Sequence, residues 1–153
     1  MKAQDSIQQT SVAYGVTTGI LFIAYFLAMS VFGYIEHLEF SLFNVIILVF
    51  MSNYALKQAF KDSNRRLIFL EIFGLCIQLS AIAFAIMAVF LYVYLRFWNP
   101  GFMEYLSAHA PMGAYLNPAG ICLFLLILGG GISVIVAFIL EQYYKRKTPE
   151  NGA

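Results

Sequence analysis

The sequence predicts an all-α membrane protein, a bundle of four transmembrane helices with both chain ends in the cytoplasm. Three observations carry this prediction: the composition, four long apolar segments, and the placement of the basic residues. The 153 residues are 61% hydrophobic and 11% charged, against about 25% charged in ordinary soluble domains. The mean hydropathy of +0.79 excludes a soluble globular domain, and the net charge of +1 gives no support for a nucleic-acid partner.

The four predicted spans follow from segment length. A helix that crosses the hydrocarbon core of about 30 Å needs about 20 mainly apolar residues. Segments of that kind occupy residues 13–35, 40–60, 67–95 and 119–140. They do not alternate between apolar and polar residues as barrel strands do, so we expect helices. The first two connections are short, the third (residues 96–118) is the longest, and residues 1–153 should form a single integral membrane domain.

The basic residues predict the orientation of the spans. Eight of the nine Lys and Arg residues lie in the N-terminal segment, the second loop and the C-terminal tail. The ninth, Arg96, lies in the third loop. Because Lys and Arg concentrate in cytoplasmic loops, both termini should lie inside the cell. The predicted location is therefore the bacterial cytoplasmic membrane.

The third loop holds signals for two helix starts. Asn99-Pro100-Gly101 is a turn signal, and residues 102–106 have the pattern of a short amphipathic helix. Asn117-Pro118-Ala119 matches the tripeptide of water channels. Asn is also a good N-cap and Pro suits the first helical position, so the tripeptide is better explained as a helix start.

Three predicted spans carry small residues at the spacing of one helix face. Such faces let helices approach closely, so we expect them to pack on other helices of the monomer, or alternatively on a second copy. On span one the candidates are Gly15 and Gly19, and on span four Gly129 and Ser133. Span three carries a longer stripe: Glu71, Gly74, Gln78, Ala81, Ala85 and Ala88.

Glu71 is the candidate functional residue inside a span. It follows Arg66 by five residues, which places it about 7 to 8 Å into the bilayer. Thr18 and Asn53 are expected at a similar depth and Gln78 deeper on the same face. Two interpretations stay open: a carboxylate that fixes helix packing through these donors, or a protonatable coupling residue.

The sequence contains no recognisable catalytic motif. It has no CxxC pair, phosphate-binding glycine loop, nucleophile elbow or HExxH. Cys76 and Cys122 are predicted at different depths, so they should not form a disulfide. Nothing brings His37 and His109 together with further ligands. We therefore expect no enzymatic activity, no cofactor and no metal.

Several segments resemble one bacterial family. The likeness lies in three places: residues 55–62, into which span two runs; residues 97–102, on which span three closes; and the Gly-rich fourth span at 129–137, followed by Lys145-Arg146-Lys147. They resemble the small four-helix membrane proteins known as domain of unknown function 4199. The resemblance implies an inner-membrane location and assigns no activity or functional residue.

The expected function is that of a non-enzymatic accessory or scaffold protein of the inner membrane. Its expected partners are the lipid bilayer and other membrane helices, either further copies of itself or a membrane complex, and not nucleic acid. The alternative is a small dimeric transporter coupled to protons or cations. In that mechanism Glu71 would alternate between protonated and ionised forms, and Gly129-Gly130-Gly131 would let span four flex.

Overall fold

The computed structural model describes residues 2–34, 42–63, 68–109 and 117–147. These residues form five α-helices, and within the described ranges there is no β-strand. The prediction of an all-α protein is confirmed. The helices are α1 (Lys2–Val31), α2 (Leu42–Ser63), α3 (Phe69–Val93), α4 (Pro100–His109) and α5 (Pro118–Lys147), with a π-helical turn, Tyr94–Trp98, between α3 and α4.

Four of the helices are long and apolar enough to cross a membrane, as the sequence predicts. The qualifying stretches are Ile7–Val31, Leu42–Asp62, Phe69–Trp98 and Pro118–Lys145. The predicted ends at residues 35, 40 and 67 lie outside the described residues. Helix α1 begins well before residue 13. Thr10 and Ser11, which precede the predicted start, are buried against the bundle.

Helix α3 lies at the centre of the bundle. It runs parallel to α1, since Ser11 bonds to Gln78 near one end and Ser30 bonds to Tyr94 near the other. It runs antiparallel to α5, because the Cys122 thiol donates to the Ala88 carbonyl. Ten of its residues are buried: Ile72, Leu75, Cys76, Leu79, Ser80, Ala83, Phe84, Met87, Ala88 and Leu91.

The core consists of two clusters of apolar side chains. The larger one joins all four long helices and includes Phe22, Leu48, Leu79 and Leu140. The smaller one lies where α4 covers the end of α3. There α4 buries Phe102 and Leu106 and exposes Glu104, so this helix is amphipathic as predicted.

The outer surface of the bundle is apolar. Leu70 is 71% exposed, Val89 68% and Ile127 67%, and many other large apolar side chains are also exposed. Soluble monomers rarely expose contiguous apolar patches larger than a few hundred Å². A surface of this kind is typical of helices that face lipid.

Both helix starts of the third loop have side-chain caps. The Gly120 N–H donates to Asn117 Oδ1 at 2.7 Å, and α5 begins at Pro118. The interpretation of Asn117-Pro118 as a helix start is confirmed. Asn99 acts similarly before α4, because its Oδ1 accepts the Phe102 N–H at 3.1 Å.

Candidate functional site

Helices α1 and α3 meet at the two glycines of α1. A Cβ atom on Gly15 would lie 2.9 Å from the Leu79 carbonyl oxygen, and one on Gly19 would lie 3.0 Å from the Ile86 Cβ. Real Cβ atoms are essentially never that close to a backbone oxygen. Gly15 and Gly19 therefore lie in the close helix contact that their spacing predicts.

Helices α3 and α5 approach each other at Gly129. A Cβ on Gly129 would lie 2.6 Å from the Phe84 ring, whereas one on Gly130 or Gly131 would meet no atom of the described residues within 4 Å. Ser133 is buried one turn later and donates to the Gly129 carbonyl oxygen. Only the first glycine of the triplet makes a close approach, and α5 remains helical through all three.

The small residues of the α3 stripe divide into two groups, because Ala88 is buried and the other three are not. Gly74, Ala81 and Ala85 are exposed, and a Cβ added to Gly74 would meet no atom within 4 Å in the described part of the chain. Contact with a second copy, the alternative stated for this stripe, stays a prediction for these three residues, which do not pack against the other described helices. The reason is that the α1–α3 contact takes its small residues from α1, so α3 contributes the large side chains Ile82 and Ile86 to it.

Glu71 caps the start of α3. Its Oε2 accepts the Ile68 N–H at 3.0 Å, three residues before it. Ile68 has no side-chain acceptor, so this bond is the Glu half of a capping box. The Glu71 side chain is half-buried and belongs to the first turn of the helix. The carboxylate therefore satisfies a backbone donor at a helix end.

Gln78 connects α3 to α1. The Ser11 Oγ–H donates to Gln78 Oε1 at 2.9 Å and to the Gln8 carbonyl oxygen, also at 2.9 Å. In an apolar environment such interhelical bonds are worth about 0.6 to 2 kcal/mol. Gln78 thus serves to fix the register of α1 against α3.

Asn53 connects α2 to α5. Its Oδ1 accepts the Tyr144 O–H at 2.6 Å, and Tyr144 also stacks on Phe60. The buried Thr18 hydroxyl donates within its own helix, to the Tyr14 carbonyl oxygen.

The four residues predicted as one intramembrane polar site therefore bond to different partners. Glu71 bonds to Ile68, Gln78 to Ser11, Asn53 to Tyr144 and Thr18 to Tyr14. Ser52, the neighbour of Asn53 on α2, is fully buried, and its Oγ has no hydrogen-bond partner among the described residues.

Glu141 is an acidic residue of α5 that is largely buried. It is 7% exposed, and thus more buried than Glu71. No hydrogen bond or ion pair involves it in the described part of the chain. The signal for its position is the spacing of four from Gly129 through Ser133 and Ala137 to Glu141, which places it on the packing face of α5.

The described residues contain no group of three or more His, Cys, Asp or Glu side chains that could hold a metal ion. Cys76 and Cys122 are free thiols, as their predicted depths imply. His109 stacks on Tyr105 at the end of α4. His37 lies outside the described residues.

Comparison with known proteins places the chain in one family. Residues 13–114, two thirds of the chain, match the family described as "Protein of unknown function (DUF4199)". The matched segment covers α1 from its fourth turn to α4 and ends before α5. No curated protein and no solved structure matches the chain. The likeness expected from the sequence is confirmed, and the chain belongs to the DUF4199 family of proteins of unknown function.

Proposed function

We propose that this protein is a multi-pass accessory or scaffold protein of the bacterial inner membrane. In this role it catalyses no reaction. It associates laterally with other membrane helices, in a second copy of itself or in a membrane complex. The four apolar helices and the exposed apolar surface support the membrane location.

The observation that carries the proposal is the exposed small-residue face of α3, formed by Gly74, Ala81 and Ala85. From Gly74 to Ala85 this face extends about 16 Å along the helix. Small residues let the backbone of a second helix come close. In a bilayer the lipid tails are as apolar as the side chains, so this close packing, and not the hydrophobic effect, drives helix association. The large residues Leu70 and Val89 lie beyond its two ends.

The proposed orientation has both termini in the cytoplasm. The end of the bundle that carries the chain termini also carries Lys57, Lys61 and Lys145, whereas Arg96 lies at the other end. The distribution of Lys and Arg between the two membrane sides supports this orientation.

The alternative, a transporter that uses Glu71, receives less support. The Glu71 carboxylate accepts a backbone N–H at the start of α3 and is only half-buried. The glycine triplet, which was expected to flex in that mechanism, lies within a continuous helix and includes a close contact to Phe84. A packing and capping role accounts for both features.

Native mass spectrometry of the protein in a gentle detergent tests the proposal. One chain has a mass of 17.2 kDa, so a second copy or a partner protein appears as a larger complex. The double variant Ala81→Leu/Ala85→Leu fills the exposed face of α3 and should convert the complex to monomer. Ala24→Leu/Ala28→Leu is the matched control, because these alanines have the same spacing and are exposed on α1.

The control variant should keep the complex, since Ala24 and Ala28 lie on a line that also carries the exposed large residues Ile20 and Val31. A wild-type protein that is strictly monomeric and free of partners would overturn the proposed function. A complex that survives the α3 substitutions unchanged would exclude this face as the contact.

A further inference from the structure

An open groove separates α3 from α5 in the half of the bundle near α4. Its volume is about 400 Å³, and its walls are almost entirely apolar. Six residues line most of it: Ala88, Val89 and Tyr92 of α3, and Ala119, Cys122 and Leu126 of α5. The groove opens to the outside of the bundle, on the surface where Val89 and Leu123 are exposed.

The end of this groove where the helices leave the apolar region lies near Arg96, and the acidic residue at this end of the described bundle is the exposed Glu104 of α4. Arg96 is exposed and follows Tyr92, a residue of the groove wall, by one turn. The N-terminus of α5 begins at Pro118, immediately before Ala119 in the opposite wall. A helix N-terminus carries a partial positive charge, so both walls attract an anion at the same end.

We propose that this groove holds one acyl chain of an anionic phospholipid whose phosphate binds Arg96. The inference rests on the membrane location in the proposed function and not on the lateral association. Within a bilayer, lipid tails fill a groove this apolar, because the side chains on both walls of an empty groove would lack van der Waals contacts.

The charge at the groove end selects the headgroup of the lipid. A juxtamembrane Lys or Arg attracts anionic lipid, and the guanidinium group of arginine forms paired hydrogen bonds with phosphate oxygens. Anionic and zwitterionic lipids have the same kinds of acyl chain. A preference for anionic lipid must therefore come from the groove end near Arg96, where the headgroup binds. Among the described residues, Arg96 is the only Lys or Arg at the α4 end of the bundle.

The test uses the full chain in vesicles of phosphatidylglycerol and phosphatidylethanolamine in equal amounts, followed by native mass spectrometry of retained lipid. We expect one retained phosphatidylglycerol per chain. Val89→Phe narrows the groove from α3 and should reduce the retention of both lipids several-fold. Ile135→Phe is its matched control, because Ile135 is 60% exposed on α5 and does not line the groove.

Arg96→Gln tests the headgroup contact separately. It should lower the ratio of retained phosphatidylglycerol to phosphatidylethanolamine by about fivefold. Lys57→Gln removes the same charge from the other end of the bundle and should leave the ratio unchanged. Ala119→Phe repeats the narrowing from α5, in case Val89→Phe does not yield folded protein.

Retention that is unchanged by Val89→Phe and by Ala119→Phe would overturn the groove as the lipid site. An unchanged lipid ratio in Arg96→Gln would overturn the assignment of an anionic headgroup. Lipids add small mass increments to each chain, whereas protein association adds whole chains. Failure of this inference is therefore distinguishable from failure of the proposed function.

Discussion

At the scale of single residues, the contact between Gly129 and the Phe84 ring leaves no space for a methyl group. We predict that Gly129→Ala lowers the free energy of unfolding by about 1 to 3 kcal/mol, since it forces α5 away from Phe84. Gly130→Ala is the control, because that position is open. It should keep the stability or raise it by up to about 1 kcal/mol through helix propensity.

Denaturation in detergent, followed by circular dichroism, measures both variants. Equal effects at Gly129 and Gly130 would mean that the contact to Phe84 does not limit the approach of α5 to α3.

The capping bond of Glu71 gives a second prediction at this scale. Glu71→Ala removes the acceptor of the Ile68 N–H and should destabilise α3 by about 1 kcal/mol. Glu71→Gln should keep most of that stability, because a glutamine oxygen can accept the same bond. Thermal denaturation compares the two. If Glu71→Gln is as damaging as Glu71→Ala, the carboxylate charge matters beyond the cap.

The two glutamates show where residue-level prediction succeeds and where it stops. The sequence identifies Glu71 as a carboxylate near a membrane surface, and the structure places it in the first turn of α3. Its partner is a backbone N–H, and the identity of a backbone partner depends on where the helix begins. The sequence does not predict that Glu141 is buried, because its burial depends on contacts with other helices. Spacing alone places it only on one face of its own helix.

At the scale of helices, the α1–α3 contact depends on Gly15, whereas Gly74 lies on the outer face. We predict that Gly15→Ala lowers the free energy of unfolding by about 1 to 3 kcal/mol, because the methyl group meets the Leu79 backbone. Gly74→Ala should not destabilise the solubilised monomer. The measurement is equilibrium unfolding of both variants in detergent. A destabilisation by Gly74→Ala equal to that by Gly15→Ala would contradict the packing of α3 described here.

The sequence predicts which segments are helices, but it predicts only in part which face of each helix packs inside the bundle. Length and hydropathy predict the four apolar helices, and Asn117-Pro118 predicts the start of α5. These signals depend only on residues that are neighbours in the sequence. The stripe of small and polar residues does not by itself predict the inward face of α3, because Ala88 is buried while Gly74, Ala81 and Ala85 are exposed. A close helix contact needs small residues on one helix only, so the glycines of α1 can serve the contact and leave Gly74, Ala81 and Ala85 outside.

At the scale of the whole molecule, the topology is a further prediction. With both termini in the cytoplasm, a reporter fused after Asn64 should be cytoplasmic and one fused after Ser107 should be external. The asymmetry of the basic residues is the reason, since Arg96 is the only Lys or Arg from Phe69 to Pro118. Paired phosphatase and fluorescent-protein fusions read both sides. An external signal after Asn64 would reverse the orientation.

The bundle as a whole leaves one side of its central helix open. Helices α1, α2 and α5 contact α3, and the side that carries Ala81 and Ala85 is exposed. The central claim is that another protein helix, and not lipid alone, covers this side in the membrane.

Cross-linking in native membranes tests that claim most directly. In a Cys76→Ala/Cys122→Ala background, Ala81→Cys carries a short thiol-reactive diazirine, and Ala24→Cys is the matched control on the exposed side of α1. The account predicts that the reagent at position 81 forms a protein adduct heavier than the 17.2 kDa chain, whereas position 24 gives mainly lipid adducts. Lipid adducts alone from position 81 would contradict it.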